Sequence, residues 1–408
     1  MSAIADRYVS LVLALGVHDT DYVDAYYGPP ELRTQAEAAK RPLADIRADA
    51  VTLLADLAAT KPPAEEIAAL RHQYLQRQLE ALVSRVDMLS GKKMTFDEES
   101  KALYDAVSPH RDEKVFRDVL AELDPLLPGS GPLIDRYTAF RDAYVIPKDK
   151  LDAVFTAAIG ECRRRTLPHV DLPPGETFTV EYVTGKSWSA YNWYKGNFKS
   201  VIQVNTEFPV TIDRAIDLAC HEGYPGHHVY NALLEQHLVR ERGWREFTVY
   251  PLFSPQSLIA EGTANYGIEV AFPGEERLKF ERDVLYPLAG LDPAKAERFD
   301  RVRRLVDRLA YAGNEAARRY LDGTIDAAAA AAFLQEWNLT PADRARQRVR
   351  FFDQYRSYVI NYNLGQDMAR AYVESRGGTA DHPDVRWREF TRLLASPRLP
   401  GGLNPVPR

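Results

Sequence analysis

Apolar side chains recur at three- and four-residue spacing through most of this chain, a period that suits stacked helices and little else. Leu151, Val154, Phe155, Ala158, Ile159 and Cys162 form one such stripe. The pattern predicts a mainly α fold from the N-terminus onward, interrupted at Pro29-Pro30, Pro62-Pro63 and the turn Ser90-Gly91-Lys92-Lys93. With 408 residues, 45% of them hydrophobic, the chain is long enough to bury a large core. Pro128-Gly129-Ser130-Gly131-Pro132 reads as a loop or linker. It separates an N-terminal helical region, 1–128, from a second region, 133–408, or joins the two within one fused domain.

One region departs from the helical period. Thr177 to Val183 alternates bulky and polar side chains, Ser187 to Phe198 is rich in aromatic residues, and Ser200 to Thr206 is β-like again. These stretches predict a small antiparallel β-sheet placed just before the histidine-bearing helix.

A net charge of −6 gives no field that would favour nucleic acid or an anionic membrane. No stretch approaches the roughly 18 apolar residues of a membrane span. The run Leu11 to Val17 follows Asp6 and Arg7 and reads as a helix face, not a signal peptide. Two cysteines, Cys162 and Cys220, cannot form a disulfide framework, which fits a reducing compartment. The expectation is a cytoplasmic protein acting on a peptide or small amide, with neither nucleic acid nor membrane as a partner.

Chemistry concentrates in His221-Glu222-Gly223-Tyr224-Pro225-Gly226-His227-His228, which holds three of the nine histidines. Imidazoles can hold a zinc ion, and an adjacent carboxylate can take a proton from water. In the usual H-E-x-x-H spacing the second histidine stands four residues after the first, but here that position is Pro225. On a straight helix His227 would face away and His228 would lie roughly 10 Å along the axis, so the helix must break or bulge. Proline and glycine permit that. His221 and His227 are therefore the expected metal ligands, with His228 an alternative ligand or a supporting group. Glu261, forty residues past His221, completes a two-histidine, one-glutamate site for one zinc ion, with Glu269 as the competing or supporting carboxylate.

These blocks resemble the bacterial family catalogued as domain of unknown function 885, whose members carry H-E-x-x-P-G-H-H, and more distantly the gluzincin metallopeptidases. Glu261-Gly262-x-Ala264-x-Tyr266 is similar to that family's E-G-W-A-L-Y block, Val204-Asn205-Thr206 to its V-N-T edge strand, which implies an edge position here, and Tyr362-x-x-Gly365 to its closing tyrosine motif. The likeness spans roughly residues 151 to 374. In carboxypeptidase and oligopeptidase relatives a Gly-His pair ends the motif, and laying it on Gly226-His227 favours His227. The resemblance implies a gluzincin-like helical fold, zinc and amide-bond hydrolysis. Thr263 stands where the family has tryptophan, and Arg356-Ser357-Tyr358 replaces its P-G-Q.

The expected activity is that of a zinc metallopeptidase with Glu222 as general base. Tyr362 is the expected oxyanion donor, with Tyr358 and Tyr355 next and Asn205 as a further substrate-binding residue. Arg163-Arg164-Arg165 and the cluster Arg301, Arg303, Arg304 and Arg308 could bind a substrate carboxylate, although such runs are usually solvated. The alternatives are a zinc amidohydrolase or esterase on a non-peptide substrate, and a non-catalytic binding protein that keeps the fold.

Overall fold

The stripe that begins at Leu151 buries Leu151, Val154, Phe155, Ala158 and Cys162 along one face of the helix Leu151–Thr166. That pattern repeats across a computed structural model that describes residues 1–403. The fold is mainly α. Among the described residues no helix is long and apolar enough to cross a membrane.

A single hydrophobic cluster runs from Ile4 to Leu403, passing the Pro128–Pro132 loop without a break. A strand pairing and two side-chain contacts are among those that tie the first ninety residues to the centre of the molecule. Strand β1 (Val23–Tyr26) pairs antiparallel with a later strand, Val249–Pro251, which is β5 in chain order. The buried guanidinium of Arg71 donates to Glu246 Oε2 at 3.0 Å. Tyr74 donates its hydroxyl to Gln256 Oε1 at 2.6 Å, at the start of the helix Pro255–Ala271 that carries Glu261.

The main sheet contains β2 (Thr177–Val183), β3 (Ala190–Gly196) and β4 (Lys199–Asn205) in the order β2-β4-β3. Strands β3 and β4 form an antiparallel hairpin. Its turn is Asn197-Phe198, both with positive φ, as a two-residue turn matched to strand twist requires. Strand β2 pairs with β4 in parallel, so the antiparallel pattern holds on one side of β4 only. The strand ending at Val204-Asn205 was expected at an edge, and it is the central one. Ser200, Ile202 and Val204 on it are buried. The outer strands are β2 and β3.

Helix Asp213–Leu218 leads from this sheet into a π-helical turn, Ala219–Gly223, and a second helix resumes at His227–Leu234. Such widened turns are frequent at functional sites. Between them the peptide Tyr224–Pro225 is cis. Gly226 donates its N–H to the Cys220 carbonyl at 2.9 Å. A Cβ there would stand 1.9 Å from the His221 carbonyl oxygen, so only glycine lets the chain fold back this closely.

Cys162 and Cys220 form a disulfide with a Cα–Cα distance of 5.7 Å, joining helix Leu151–Thr166 to the π turn. Disulfides persist in oxidising compartments, so the cysteines no longer argue for the cytoplasm.

The Glu261 helix crosses the helix Ile360–Ser375, which carries Tyr362, at two glycines. A Cβ on Gly262 would lie 2.3 Å from the Gly365 carbonyl carbon, and one on Gly365 would lie 2.7 Å from the Leu258 carbonyl oxygen. The two backbones touch there, which brings Glu261 close to Tyr358, just before the start of the second helix.

Candidate metal centre

The folded-back chain turns His221 and His227 toward each other and toward Glu261. Their Nε2 atoms are 3.1 Å apart. Glu261 Oε2 lies 3.1 Å from His221 Nε2 and 3.6 Å from His227 Nε2. Tetrahedral bonds of about 2.0–2.1 Å place ligand atoms about 3.3 Å apart, so this triangle has the size of one face of a zinc site. The donor set, two imidazoles and a carboxylate, leaves a fourth position open. Two further observations bear on the fit. Glu261 Oε2 is buried and has no hydrogen-bond partner among the described residues, whereas Oε1 accepts the Tyr358 hydroxyl at 2.7 Å. Asn265 bridges two helices, donating through Nδ2 to the Tyr362 carbonyl at 3.0 Å and presenting Oδ1 to His221 Nδ1 at 2.8 Å. Because Oδ1 only accepts, Nδ1 carries the hydrogen and the Nε2 lone pair is left for a metal.

Electrostatics follow from this crowding. Burial disfavours the His221 imidazolium, but the Glu261 carboxylate 3.1 Å from Nε2 and the charge of Glu222 outweigh it and push its pKa up to about 9. Burial likewise opposes ionisation of Glu261, and His227 and His221 overcome it, holding this carboxyl well below the usual range. Glu222 is different. Burial pushes its pKa up, with Glu261 adding to the effect while His221 and His227 oppose it. Its carboxylate makes no hydrogen bond among the described residues, while its backbone carbonyl accepts Asn192 Nδ2 at 2.7 Å.

The remaining sequence-derived residues divide. His228 is turned away from the triangle. Adjacent helical residues point about 100° apart, so two neighbouring histidines cannot face one ion. Fully buried, it pairs with Ser200 Oγ and Glu176 Oε2, each at 2.9 Å. Glu176 also accepts from Tyr224 at 2.5 Å and from Arg163 at 2.8 Å, locking the histidine helix onto the sheet. Glu269 sits at the rim of the cavity, where Gln366 donates to it at 2.6 Å and Arg370 pairs with it, and it touches no histidine. Asn205 donates to the carbonyls of Lys186 and Trp188 at 3.0 and 2.9 Å, which closes a loop, and it lines a smaller neighbouring cavity instead of the one that holds the triangle. Tyr358 serves Glu261 as described.

Tyr355 and Tyr362 line a cavity of about 1000 Å³ together with His221, Glu222, His227 and Glu261. The Tyr362 ring lies 6.5 Å from that of His221, and its hydroxyl has no hydrogen-bond partner among the described residues. Trp188 and Tyr191 form part of the wall, their rings 5.4 Å apart. Asn265, Glu176 and Asp24 were missed by sequence reasoning. Asn265 was within reach, because it stands four residues after Glu261 and so shares its helix face. Asp24 lies on β1 and lines the cavity, and its Oδ1 is buried without a partner among the described residues.

No protein-family model matches the chain, and no curated protein matches it either. Similarity is found among solved structures. The crystal structure of the "putative lipoprotein" from Colwellia psychrerythraea aligns with a TM-score of 0.55 at 14% identity, covering 91% of this chain and 72% of that one. A second, described as the structure of CHT, aligns with a TM-score of 0.50 at 12% identity, covering 99% and 92%. At these identities the likeness is one of fold, and it shows the mainly helical architecture to be shared along nearly the whole chain.

Proposed function

We propose that this protein is a zinc-dependent hydrolase that cleaves amide bonds in peptides. The observation that carries the reading is the convergence of His221 Nε2, His227 Nε2 and the unpartnered Glu261 Oε2 beside a free, buried Glu222 carboxylate on one cavity wall. A zinc ion held by His221, His227 and Glu261 would supply Lewis acidity toward a carbonyl and lower the pKa of a water molecule toward neutrality.

The other steps belong to the chain. Glu222 takes the proton of the attacking water and returns it to the departing amine nitrogen, a role suited to a carboxylate whose pKa burial has raised. Tyr362, with its hydroxyl unengaged, donates to the oxygen that gains charge during attack. Asn265 keeps His221 in the ligating tautomer, and Tyr358 orients Glu261. An extended peptide can pair with β3, the outer strand whose Ala190, Tyr191 and Asn192 line the cavity. The ordered motifs shared with the domain of unknown function 885 family support the same reading.

Elemental analysis of the wild type, His227→Ala and Glu261→Ala, paired with digestion of a peptide library by the wild type and Glu222→Gln, tests the proposal. The expected result is one zinc in the wild type, zinc reduced in both ligand variants, and cleavage abolished in Glu222→Gln with zinc retained. Bound zinc without peptide cleavage would favour a non-peptide amide or ester as substrate. Absence of any metal would overturn the reading.

A further inference from the structure

Seven arginines line the cavity that holds the metal triad. Five of them, Arg214, Arg277, Arg303, Arg308 and Arg370, are neutralised by carboxylates of the protein itself. The other two, Arg344 and Arg348, stand one turn apart on the helix Ala342–Tyr355 and so share one of its faces. Neither has a carboxylate partner among the described residues. Arg344 reaches only the Pro209 carbonyl at 3.3 Å and lies over the Phe208 ring at 4.2 Å. Arg348 makes no hydrogen bond and no ion pair among the described residues, and its guanidinium lies 5.0 Å from the Phe351 ring centroid.

Burying a cation without a counter-ion is unfavourable, and it disfavours the charged form of both groups. Burial pushes Arg348 down, opposed only by Tyr362. Burial, together with the like charges of Arg141 and Arg214, pushes Arg344 down to about 10. A guanidinium resting on an aromatic ring keeps its N–H edge free and presents the planar fork that matches a carboxylate. Phe351 in turn lies 6.4 Å from the ring of Tyr362, which lies 6.5 Å from that of His221. The unpaired positive wall is therefore only a few residues of extended peptide from the metal triangle.

We propose that Arg348, with Arg344 reinforcing the local charge, is the receptor for a free carboxylate on the substrate, so that the preferred substrates are short peptides cleaved near their C-terminal end. This rests on the peptidase reading above. The arginine runs conspicuous in the sequence do not compete for the role. Arg163 pairs with Glu176, Arg164 and Arg165 pair with Glu161, and Arg303, Arg304 and Arg308 are paired with carboxylates as well, while Arg301 is exposed and lies outside the cavity lining.

The test uses a library of N-acetylated tripeptides in two matched forms, free acids and C-terminal amides, offered to zinc-loaded Glu222→Gln protein. Retention is read by equilibrium dialysis and mass spectrometry. The expected result is retention of free acids about tenfold or more above amides, falling to near parity when Arg348→Gln is added. Adding Arg350→Gln, which removes the same charge from an exposed site on the same helix, should leave the preference intact. Equal retention of the two forms, retention of neither, or an acid preference that survives Arg348→Gln would overturn the proposal. Turnover of the same library by the wild type separates this result from the fate of the hydrolase reading. Cleavage of acids and amides alike would sink the carboxylate receptor and leave the hydrolase, whereas an Arg348-dependent acid preference without cleavage would do the reverse.

Discussion

Replacing Asn265 with alanine should weaken metal binding while leaving the protein folded. The side chain does two things: Oδ1 accepts from His221 Nδ1 at 2.8 Å, and Nδ2 donates to the Tyr362 carbonyl at 3.0 Å. Losing the acceptor frees the imidazole to carry its proton on Nε2, the atom that must present a lone pair to the metal. Partners of this kind are worth about 10–100-fold in metal affinity, or about 1.4–2.7 kcal/mol. The fold loses two hydrogen bonds at about 0.5–1.5 kcal/mol each, which a chain of this size tolerates. Asn265→Asp keeps the acceptor and adds a charge beside His221, so its affinity should match or exceed that of the wild type. Zinc affinity measured by competition with a chromophoric chelator, alongside a melting curve for each variant, decides the matter. Wild-type affinity in Asn265→Ala, or an aspartate variant as impaired as the alanine one, would refute the reasoning.

Gly262→Ala forces a methyl group to within 2.3 Å of the Gly365 carbonyl carbon. The two helices must part, costing about 1–3 kcal/mol in a denaturant titration and lowering zinc affinity through the displaced Glu261; an unchanged midpoint would sink the close-contact argument. Reducing the Cys162–Cys220 disulfide, which closes 58 residues of sequence, should destabilise the fold by about 4 kcal/mol through the freedom returned to the unfolded chain. A reductant-insensitive unfolding midpoint would count against it. Burial, followed by the charges of Glu261 and Glu222, pushes Asp24 up to about 8. Since its folded pKa lies above its unfolded value near 4, the stabilisation it contributes is complete below about pH 4 and is lost as pH rises through about 8. Metal-stripped Asp24→Asn should therefore lose less stability than the stripped wild type between those limits, and parallel stability–pH curves would contradict this.

What the sequence made legible was local. The stripe from Leu151 and the alternation from Thr177 to Val183 identified their elements because periodicity is a property of neighbours along the chain. His221 and His227 could be singled out because the break at Pro225-Gly226 limits how the two histidines can be turned, and Glu261 because a carboxylate forty residues on completes the donor set. Strand order was not legible in the same way. Nothing within Lys199–Asn205 signals that β2 will lie on its far side, so the expectation of an edge strand failed. His228 shows the other limit. Its partners Ser200 and Glu176 are 28 and 52 residues away, and only packing the sheet against the helix brings them together. Arg348 was invisible for a related reason: its distinction is the lack of a partner, which no stretch of sequence displays.

The pairing of β1 with β5 bears on how this molecule can be divided. A fragment beginning after the Pro128–Pro132 loop would retain His221, His227 and Glu261 and look complete by motif. It would nonetheless leave Glu246 buried without Arg71, a loss of about 3–5 kcal/mol for a broken buried pair, and Gln256 without the Tyr74 hydroxyl. It would also lack Asp24, which lines the cavity. Expression limits and comparative searches built on the histidine motif alone would thus select a piece whose chemistry is present but whose scaffold is not.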